Sequence, residues 1–212
     1  MKKCLIFGGS GFIGSHLIED LLKNGYEVCN YDPVTLDVNL VNEFRNQKYF
    51  QINGDILYHQ PELEFDIYQI EPDIIFNFAA RANIEDCNKN PEKAFDVNVT
   101  GNLNILKALI KNKVKKYVYV SSLYAQSNKS GFYGLTKEIS EKITKYYAQK
   151  YDFDYVILRF GTVYGRRAQP ENSITKIIKQ ALKTKVISYY GSGNETRNYI
   201  SVEDTARFTR EI

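Results

Sequence analysis

The hydrophobic and polar positions divide the chain into short apolar runs separated by segments with helical spacing. The apolar runs predict strands at 4–7, in a run ending at Asp32, and at 49–53, 73–78, 116–121 and 155–160. Helical spacing predicts helices directly after Gly14 and at 39–46, 62–70, 91–112 and 132–150. Alternation of this kind predicts an α/β fold with a parallel sheet, right-handed crossovers and helices on both faces.

The pattern changes after Gly165. A helix at 171–183, a strand at 185–190, a short strand near 197–200 and a helix from Val202 follow. We expect residues 1–165 to form one domain and residues 166–212 a partial substrate-binding lobe. We expect this lobe to be small and truncated and to lie over the carboxyl ends of the strands.

The segment 3–32 carries the most informative motif. A strand runs into a turn with Gly8, Gly11 and Gly14, a helix follows, and the next strand ends at Asp32, 18 residues after the last glycine. Gly8 permits a tight turn, Gly11 lets a pyrophosphate approach the helix N-terminus, and Gly14 allows close helix–strand packing. Asp32 would accept hydrogen bonds from ribose hydroxyls and repel a 2′-phosphate, which favours NAD over NADP. The alternative is a glycine-rich turn without a ligand, but strand, helix and acid all agree with a dinucleotide site.

Composition narrows the class of protein. Apolar residues make up 43% and charged residues 25% of the chain, and the net charge is only +3, with no basic face, which argues against nucleic-acid binding. Three cysteines without a CxxC pair argue against disulfides and metal sites, and His16 and His59 lack partners for catalysis or metal binding. No apolar run reaches the ~20 residues of a membrane span, and because the N-terminus enters a strand directly we expect no signal peptide. We therefore expect a soluble cytoplasmic protein without a metal.

A second group of residues could carry chemistry. Ser122 ends a strand, and Tyr133 and Lys137 lie one helical turn apart on the following helix. A nearby ammonium favours the phenolate and lowers the pKa of a tyrosine, so Tyr133 could act as a base while Ser122 binds a substrate oxygen. Tyr146 and Lys150 repeat the spacing, but at ~100° per residue Tyr146 faces elsewhere. Such a pair also arises by chance among 17 tyrosines. Its place after a strand end distinguishes Tyr133.

Several stretches together resemble extended short-chain dehydrogenases/reductases, and specifically the NAD-dependent epimerase/dehydratase family that modifies nucleotide sugars. The matching stretches are GGSGFIGSHL at 8–17, NFAA at 77–80, DVNVTG at 96–101, YVSS at 119–122, YGLTK at 133–137 and LRFGTVYG at 158–165. The resemblance covers nearly the whole chain and implies a Rossmann-type doubly wound parallel sheet.

The resemblance also implies roles for individual residues. It gives Ser122, Tyr133 and Lys137 as catalytic residues, with Ser122 and Tyr133 also contacting substrate. The residues that it implies for NAD binding are Gly8, Gly11, Phe12, Ile13, Gly14, Asp32, Asp55, Ile56, Phe78, Ala79, Ala80, Asn98, Tyr133 and Lys137. Plain core packing is the alternative for Ile56, Phe78 and Ala79.

Two residues near the C-terminus complete the implied site. Arg197 resembles the arginine that points at the substrate diphosphate, which a guanidinium can bind bidentately; an ordinary surface arginine is the alternative. Thr162 stands where many family members have an asparagine in contact with the diphosphate.

The strand end at Ser122 separates activities within the family. Family members that act as 4,6-dehydratases have an Asp-Glu pair directly after this strand end, whereas this chain has Leu123 and Tyr124 at those positions. Asp32 disfavours the NADP that reductases use. We therefore expect a UDP- or other nucleotide-hexose 4-epimerase, with dehydratase, 4-keto reductase and a non-catalytic NAD-binding sensor or scaffold as alternatives. Helix pairing in this family implies a homodimer through 91–112 and 132–150.

Overall fold

The fold is built around six parallel strands. A computed structural model describes residues 2–44, 47–57, 60–127, 131–188, 191–192, 194 and 196–212. The strands of the large sheet are β1 Lys3–Phe7, β2 Glu27–Tyr31, β3 Tyr49–Ile52, β4 Ile74–Asn77, β5 Lys116–Ser122 and β6 Asp154–Phe160. Their order is β3-β2-β1-β4-β5-β6, and every neighbouring pair is parallel. The predicted doubly wound sheet is confirmed.

Helices connect successive strands and cover both faces of the sheet. They are α1 Phe12–Lys23, α2 Val38–Glu43, α3 Gln60–Ile70, α4 Ile84–Lys89, α5 Pro91–Phe95, α6 Gly101–Lys111, α7 Gly131–Tyr151, α8 Ser173–Thr184 and α9 Val202–Glu211. One hydrophobic cluster packs α3, α6 and α7 on one face of the sheet, and a second packs α1 and α9 on the other. This burial explains why the inner strands are apolar at nearly every position.

The predicted long helix 91–112 is present, but it is not uniform. Its residues Asp96–Thr100 form a π-helical turn between α5 and α6. A π turn accommodates an extra residue that a pattern of 3.6 residues per turn does not reveal. The short helix α4 was not predicted. The side chain of Asn83 caps it by accepting from the Asp86 backbone N–H at 3.0 Å.

A second, two-stranded parallel sheet follows, formed by β7 Thr162–Tyr164 and β8 Tyr199–Ser201. Helix α9 then packs against α1, where Arg210 Nε donates to Asp20 at 2.6 Å. No helix in the described part of the chain is long and apolar enough to cross a membrane.

The prediction of a strand at 185–190 was wrong over its described part. Residues 185–188 follow α8 and have no regular secondary structure. Val186 and Ile187 are 59% and 58% exposed. Their β-branched side chains favour a strand, but a strand also needs a neighbouring strand to bind its backbone. The nearby strand β7 pairs with β8 and not with this segment. Residues 45, 46, 59, 189, 190, 193 and 195, on which other sequence predictions fall, lie outside the described residues.

Candidate functional site

The predicted dinucleotide residues lie where the connections of the sheet change direction. From β1 the chain proceeds to β2 and β3 on one side, whereas β4, β5 and β6 follow on the other. In sheets of this kind, ligands usually bind at such a reversal, here at the carboxyl ends of β1 and β4. Gly8 follows β1 and Phe78 follows β4, and the Phe78 N–H donates to the Phe7 carbonyl at 2.8 Å.

The three glycines of the predicted motif, Gly8, Gly11 and Gly14, each meet a different environment. Gly8 has φ +78°, and a Cβ there would lie 2.5 Å from the Ala79 nitrogen. A Cβ on Gly14 would lie 2.5 Å from the Gly8 carbonyl oxygen. Gly11 is exposed, and its Cβ would meet only the Gly8 carbonyl oxygen, at 3.3 Å. The open side of Gly11 thus leaves room for a group at the N-terminus of α1, while Gly8 and Gly14 pack tightly.

Asp32 lies beside this turn. Its carboxylate accepts from the Ser10 N–H at 3.0 Å and the Val34 N–H at 2.9 Å. Burial raises the pKa of Asp32, and the two backbone hydrogen bonds oppose that effect. These two hydrogen bonds hold the Asp32 carboxylate beside the glycine turn. A carboxylate in this position can accept hydrogen bonds from ribose hydroxyls.

The residues expected near the adenine and along the cofactor follow β3 and β4. Asp55 accepts from the Leu57 N–H at 2.9 Å. Ile56 is buried, and its Cδ1 fills the space that a Cβ on Gly101 would occupy. Ile56 therefore also packs in the core. Ala79 donates from its backbone N–H to Asn77 at 3.1 Å. The remaining predicted members are half-buried at the same edge: Phe12, Ile13, Phe78 and Ala80.

Asn98 joins two elements of the site. It lies in the π turn, is only 1% exposed, and accepts from the Arg81 N–H at 2.8 Å. Its side-chain amide donates to the Thr136 hydroxyl at 3.0 Å. Asn98 therefore connects the loop after β4 to the helix that carries Tyr133.

The three predicted catalytic residues are brought together by β5 and α7. Ser122 ends β5 and accepts from the Tyr124 N–H at 3.2 Å. Tyr133 and Lys137 are 8% and 3% exposed, on the face of α7 that packs against the sheet. Burial raises the pKa of Tyr133 to about 12, and the adjacent Ser122 hydroxyl acts in the opposite direction. The interaction places Ser122 next to the phenol.

Lys137 is a buried cation whose orientation differs from the expectation. Its Nζ donates to the Val120 carbonyl at 2.8 Å and lies 4.9 Å from the centre of the Tyr119 ring. Burial lowers the pKa of Lys137 to about 8. The sequence predicted that Lys137 lowers the pKa of Tyr133. In this arrangement burial dominates, and the pKa of Tyr133 is raised instead.

The repeated spacing at Tyr146 and Lys150 lies on another side of α7, as predicted. Tyr146 is 59% exposed, and Lys150 Nζ lies 5.8 Å from the centre of its ring. This tyrosine is therefore a suitable internal comparison for Tyr133.

The two residues predicted to contact substrate lie beyond β6. Thr162 pairs with Tyr199 at the start of β7, and Arg197 is exposed just before β8. A Cβ on Gly161 would lie 3.4 Å from Cδ1 of Leu123, directly after Ser122. The two-stranded sheet thus borders the strand end that carries Ser122.

Three residues without a predicted role hold α7 in place. The Asn88 side chain accepts from the Phe132 N–H at 2.9 Å, at the start of α7. Glu141, one turn after Lys137, pairs with Arg159 of β6. The spacing of Lys137 and Glu141 could have suggested a shared face, but the partner on β6 is visible only in three dimensions.

His16 is structural in the fold. It is 3% exposed, its Nε2 lies 2.9 Å from the Arg166 carbonyl oxygen, and burial lowers its pKa. The thiols of Cys4, Cys29 and Cys87 are free and buried. Over the described ranges, no group of three His, Cys, Asp or Glu side chains is arranged to hold a metal ion.

Several known proteins are similar to this chain in sequence. The chain is 32% identical to a putative UDP-glucose 4-epimerase of Methanocaldococcus jannaschii, over 96% of this chain and 70% of that protein. It is 31% identical to the dTDP-D-glucose 4,6-dehydratase of Homo sapiens, over 96% of this chain and 63% of that protein.

Two solved structures share the fold. A UDP-glucose 4-epimerase of Thermotoga maritima with UDP-glucose superimposes with a TM-score of 0.84 at 26% identity, covering 97% of this chain and 71% of its own. A UDP-glucose 4-epimerase of Thermus thermophilus in complex with NAD gives 0.82 at 27% identity, covering 99% and 73%. Residues 4–211 match the model of the NAD dependent epimerase/dehydratase family, and the chain belongs to that family.

Proposed function

We propose that the chain is an NAD-dependent nucleotide-sugar 4-epimerase. The observation that carries the proposal concerns the segment after Ser122. Ser122 lies beside Tyr133, and the ten residues that follow it, 123–132, contain no Asp or Glu. Removing water from a sugar requires an acid and a base beyond the Tyr133 phenol. Inverting a carbon through its ketone requires only one group that takes and returns a proton.

The residues around the glycine turn fit NAD. A dinucleotide needs a backbone that its pyrophosphate can approach at a helix N-terminus, and the open side of Gly11 at the start of α1 provides it. It also needs an acceptor for the ribose hydroxyls, and the Asp32 carboxylate lies beside that turn. Bound NAD would supply a hydride acceptor and donor for C4 of the sugar. Family membership supports this cofactor.

In the proposed reaction, Tyr133 moves the proton. Its Oη takes the proton of the C4 hydroxyl as the C4–H bond is oxidised, and gives it back when the ketone is reduced on the opposite face. Ser122 Oγ orients the C4 oxygen by a hydrogen bond. A phenol with a pKa of about 12 is a poor base at neutral pH, so a positive charge must approach Tyr133 during turnover. Lys137, one turn along α7, is the residue that we assign to this task.

The substrate would lie between the Ser122 strand end and the two-stranded sheet. Arg197, exposed before β8, would bind the diphosphate, and Thr162 borders the same space. We propose residues 1–165 as the cofactor domain and 166–212 as the substrate-binding part. A UDP-sugar is the substrate class that the archaeal relative's name suggests.

We also propose a homodimer that pairs the helices at 91–112 and 132–150. Tyr146 and Tyr151 on the second helix are 59% and 43% exposed, and the rings of both contact Tyr147, so they form one exposed aromatic patch of the kind found at interfaces. Phe95 on the first helix is 40% exposed. Light scattering coupled to size exclusion would test it. A monomer at micromolar concentration would refute it.

The decisive experiment incubates the protein and NAD with UDP-glucose, UDP-galactose, UDP-N-acetylglucosamine, UDP-glucuronate and dTDP-glucose, and identifies the products by NMR. An epimerase returns the C4 epimer with no net change in NAD. A 4-keto-6-deoxy product would identify a dehydratase, the activity of the human relative. NAD binding with no product from any sugar would favour a sensor or scaffold. Tyr133→Phe should abolish turnover, whereas Tyr146→Phe, the matched control with the same local spacing, should not.

A further inference from the structure

A buried carboxylate lies next to the proposed catalytic residues without belonging to them. The Glu141 side chain is only 4% exposed. It accepts from the Ser121 hydroxyl at 2.5 Å and from Arg159 through Nε at 2.8 Å and Nη2 at 2.5 Å. The Ser121–Glu141–Arg159 cluster thus contains a bidentate ion pair and a hydrogen bond from a hydroxyl, and all of these contacts are charge-assisted.

The cluster connects three elements close to the reacting groups. Ser121 of β5 and Arg159 of β6 are direct partners in the parallel register, and Glu141 reaches both from α7. Ser121 is the neighbour of Ser122, and Glu141 follows Lys137 by one helical turn. One carboxylate therefore holds the helix that carries Tyr133 against the strand end that carries Ser122.

The side chains of β5 that point to α7 form consecutive contacts with this helix. Tyr119 lies under the Lys137 ammonium, and two residues on, Ser121 meets Glu141. This is the period of two expected for one face of a strand. Any sliding or rotation of α7 would have to break the Glu141 contacts, because their bidentate geometry admits one register.

The charge of Glu141 is secure in this setting. Burial by itself raises the pKa of Glu141, but hydrogen bonds from Arg159 and Ser121 outweigh it, and the pKa is lowered. Pairs of this kind contribute little net stability compared with apolar residues of the same shape, so the fold alone gives no strong reason for an ion pair at this point.

We propose that Glu141 is a positioning residue, which fixes α7 on the ends of β5 and β6 so that Tyr133 and Ser122 keep the spacing that proton transfer requires. The inference rests on the proposed function for its catalytic consequence. Its structural part, the fixing of α7, holds for any substrate.

The test compares Glu141→Gln with Glu138→Gln. Glu138 lies on the same helix and pairs with Lys142, but its side chain is 46% exposed. The Glu138→Gln variant therefore loses the same charge from α7 without disturbing a connection to β5 and β6. Hydrogen exchange measured by mass spectrometry should increase over 131–137 and 119–122 in Glu141→Gln and stay unchanged in Glu138→Gln. Ser121→Ala, which removes one hydrogen bond and no charge, should give a smaller increase in the same segments, and it serves if Glu141→Gln does not fold.

Kinetics supply the second readout. Because small displacements of reacting groups cost up to about 100-fold in rate, we expect kcat to fall roughly 10- to 100-fold in Glu141→Gln with KM and the NAD affinity within about twofold of wild type. Ser121→Ala should lower kcat by less than Glu141→Gln does, and Ser121→Thr, which keeps the hydroxyl, should recover that loss. An increase in exchange spread over the whole chain, or an unchanged kcat, would overturn the proposal. A wild-type protein without epimerase activity would refute the proposed function, while hydrogen exchange would still decide the role of Glu141.

Discussion

The stability of the protein should depend on pH through Lys137. The pKa of a free lysine side chain is 10.5, and burial lowers that of Lys137 to about 8. Between these values the unfolded chain binds more protons than the folded one, so the free energy of unfolding rises with pH. At about 1.4 kcal/mol per pKa unit, keeping the ammonium in the fold costs on the order of 3 kcal/mol below pH 8. As the pH rises from 7 to 9.5, Lys137 loses its proton in the folded state, and about 2 kcal/mol of this cost disappears.

The assay is urea unfolding of the wild type and of Lys137→Met at several pH values across that range. Methionine has a similar shape and does not titrate, so the difference in unfolding free energy isolates Lys137 from the buried cysteines and tyrosines. As the pH rises from 7 to about 9.5, the unfolding free energy of the wild type should increase by about 2 kcal/mol relative to that of Lys137→Met. Lys142→Met, at a side chain that is 73% exposed, should show no such change. A difference between Lys137→Met and wild type that is independent of pH would refute the buried, destabilised cation.

Four further substitutions test the site. Asn88→Ala removes the acceptor for the Phe132 N–H and should cost about 1 kcal/mol in urea unfolding, as loss of a helix cap does; an unchanged midpoint would contradict this. Gly14→Ala should lower the melting temperature, because its Cβ would lie 2.5 Å from a backbone oxygen. Gly11→Ala should leave the melting temperature nearly unchanged and weaken NAD binding in calorimetry, and equal effects of the two alanines on folding would refute this division of roles. Asp32→Asn should reduce the preference for NAD over NADP in titrations with both, and an unchanged ratio would argue against the ribose contact.

Local sequence was sufficient wherever the signal is local. The glycine turn, the acid directly after β2 and the alternation of apolar runs with helical segments each reflect one element and its own periodicity. The different exposure of Tyr133 and Tyr146 also follows from helix geometry alone, because both lie on α7 and the angle between them is fixed.

Other features failed or were missed because they depend on partners distant in sequence. Val186 and Ile187 have strand-forming side chains, yet no described strand pairs with them. The pKa of Tyr133 is set by how deeply the phenol is buried, which spacing to Lys137 does not reveal.

The sequence by itself determined the order of the six strands of the large sheet, most of the helices between them and the residues around the glycine turn, because hydrophobic period and backbone freedom are properties of short segments. Only the tertiary structure decided which strands lie side by side and what each buried group meets. The pairing of Ser121 with Arg159 across β5 and β6 is such a case, since Glu141 gains its partners only after the sheet has formed. Burial and long-range contacts set the pKa values and the position of α7, and these depend on the whole fold.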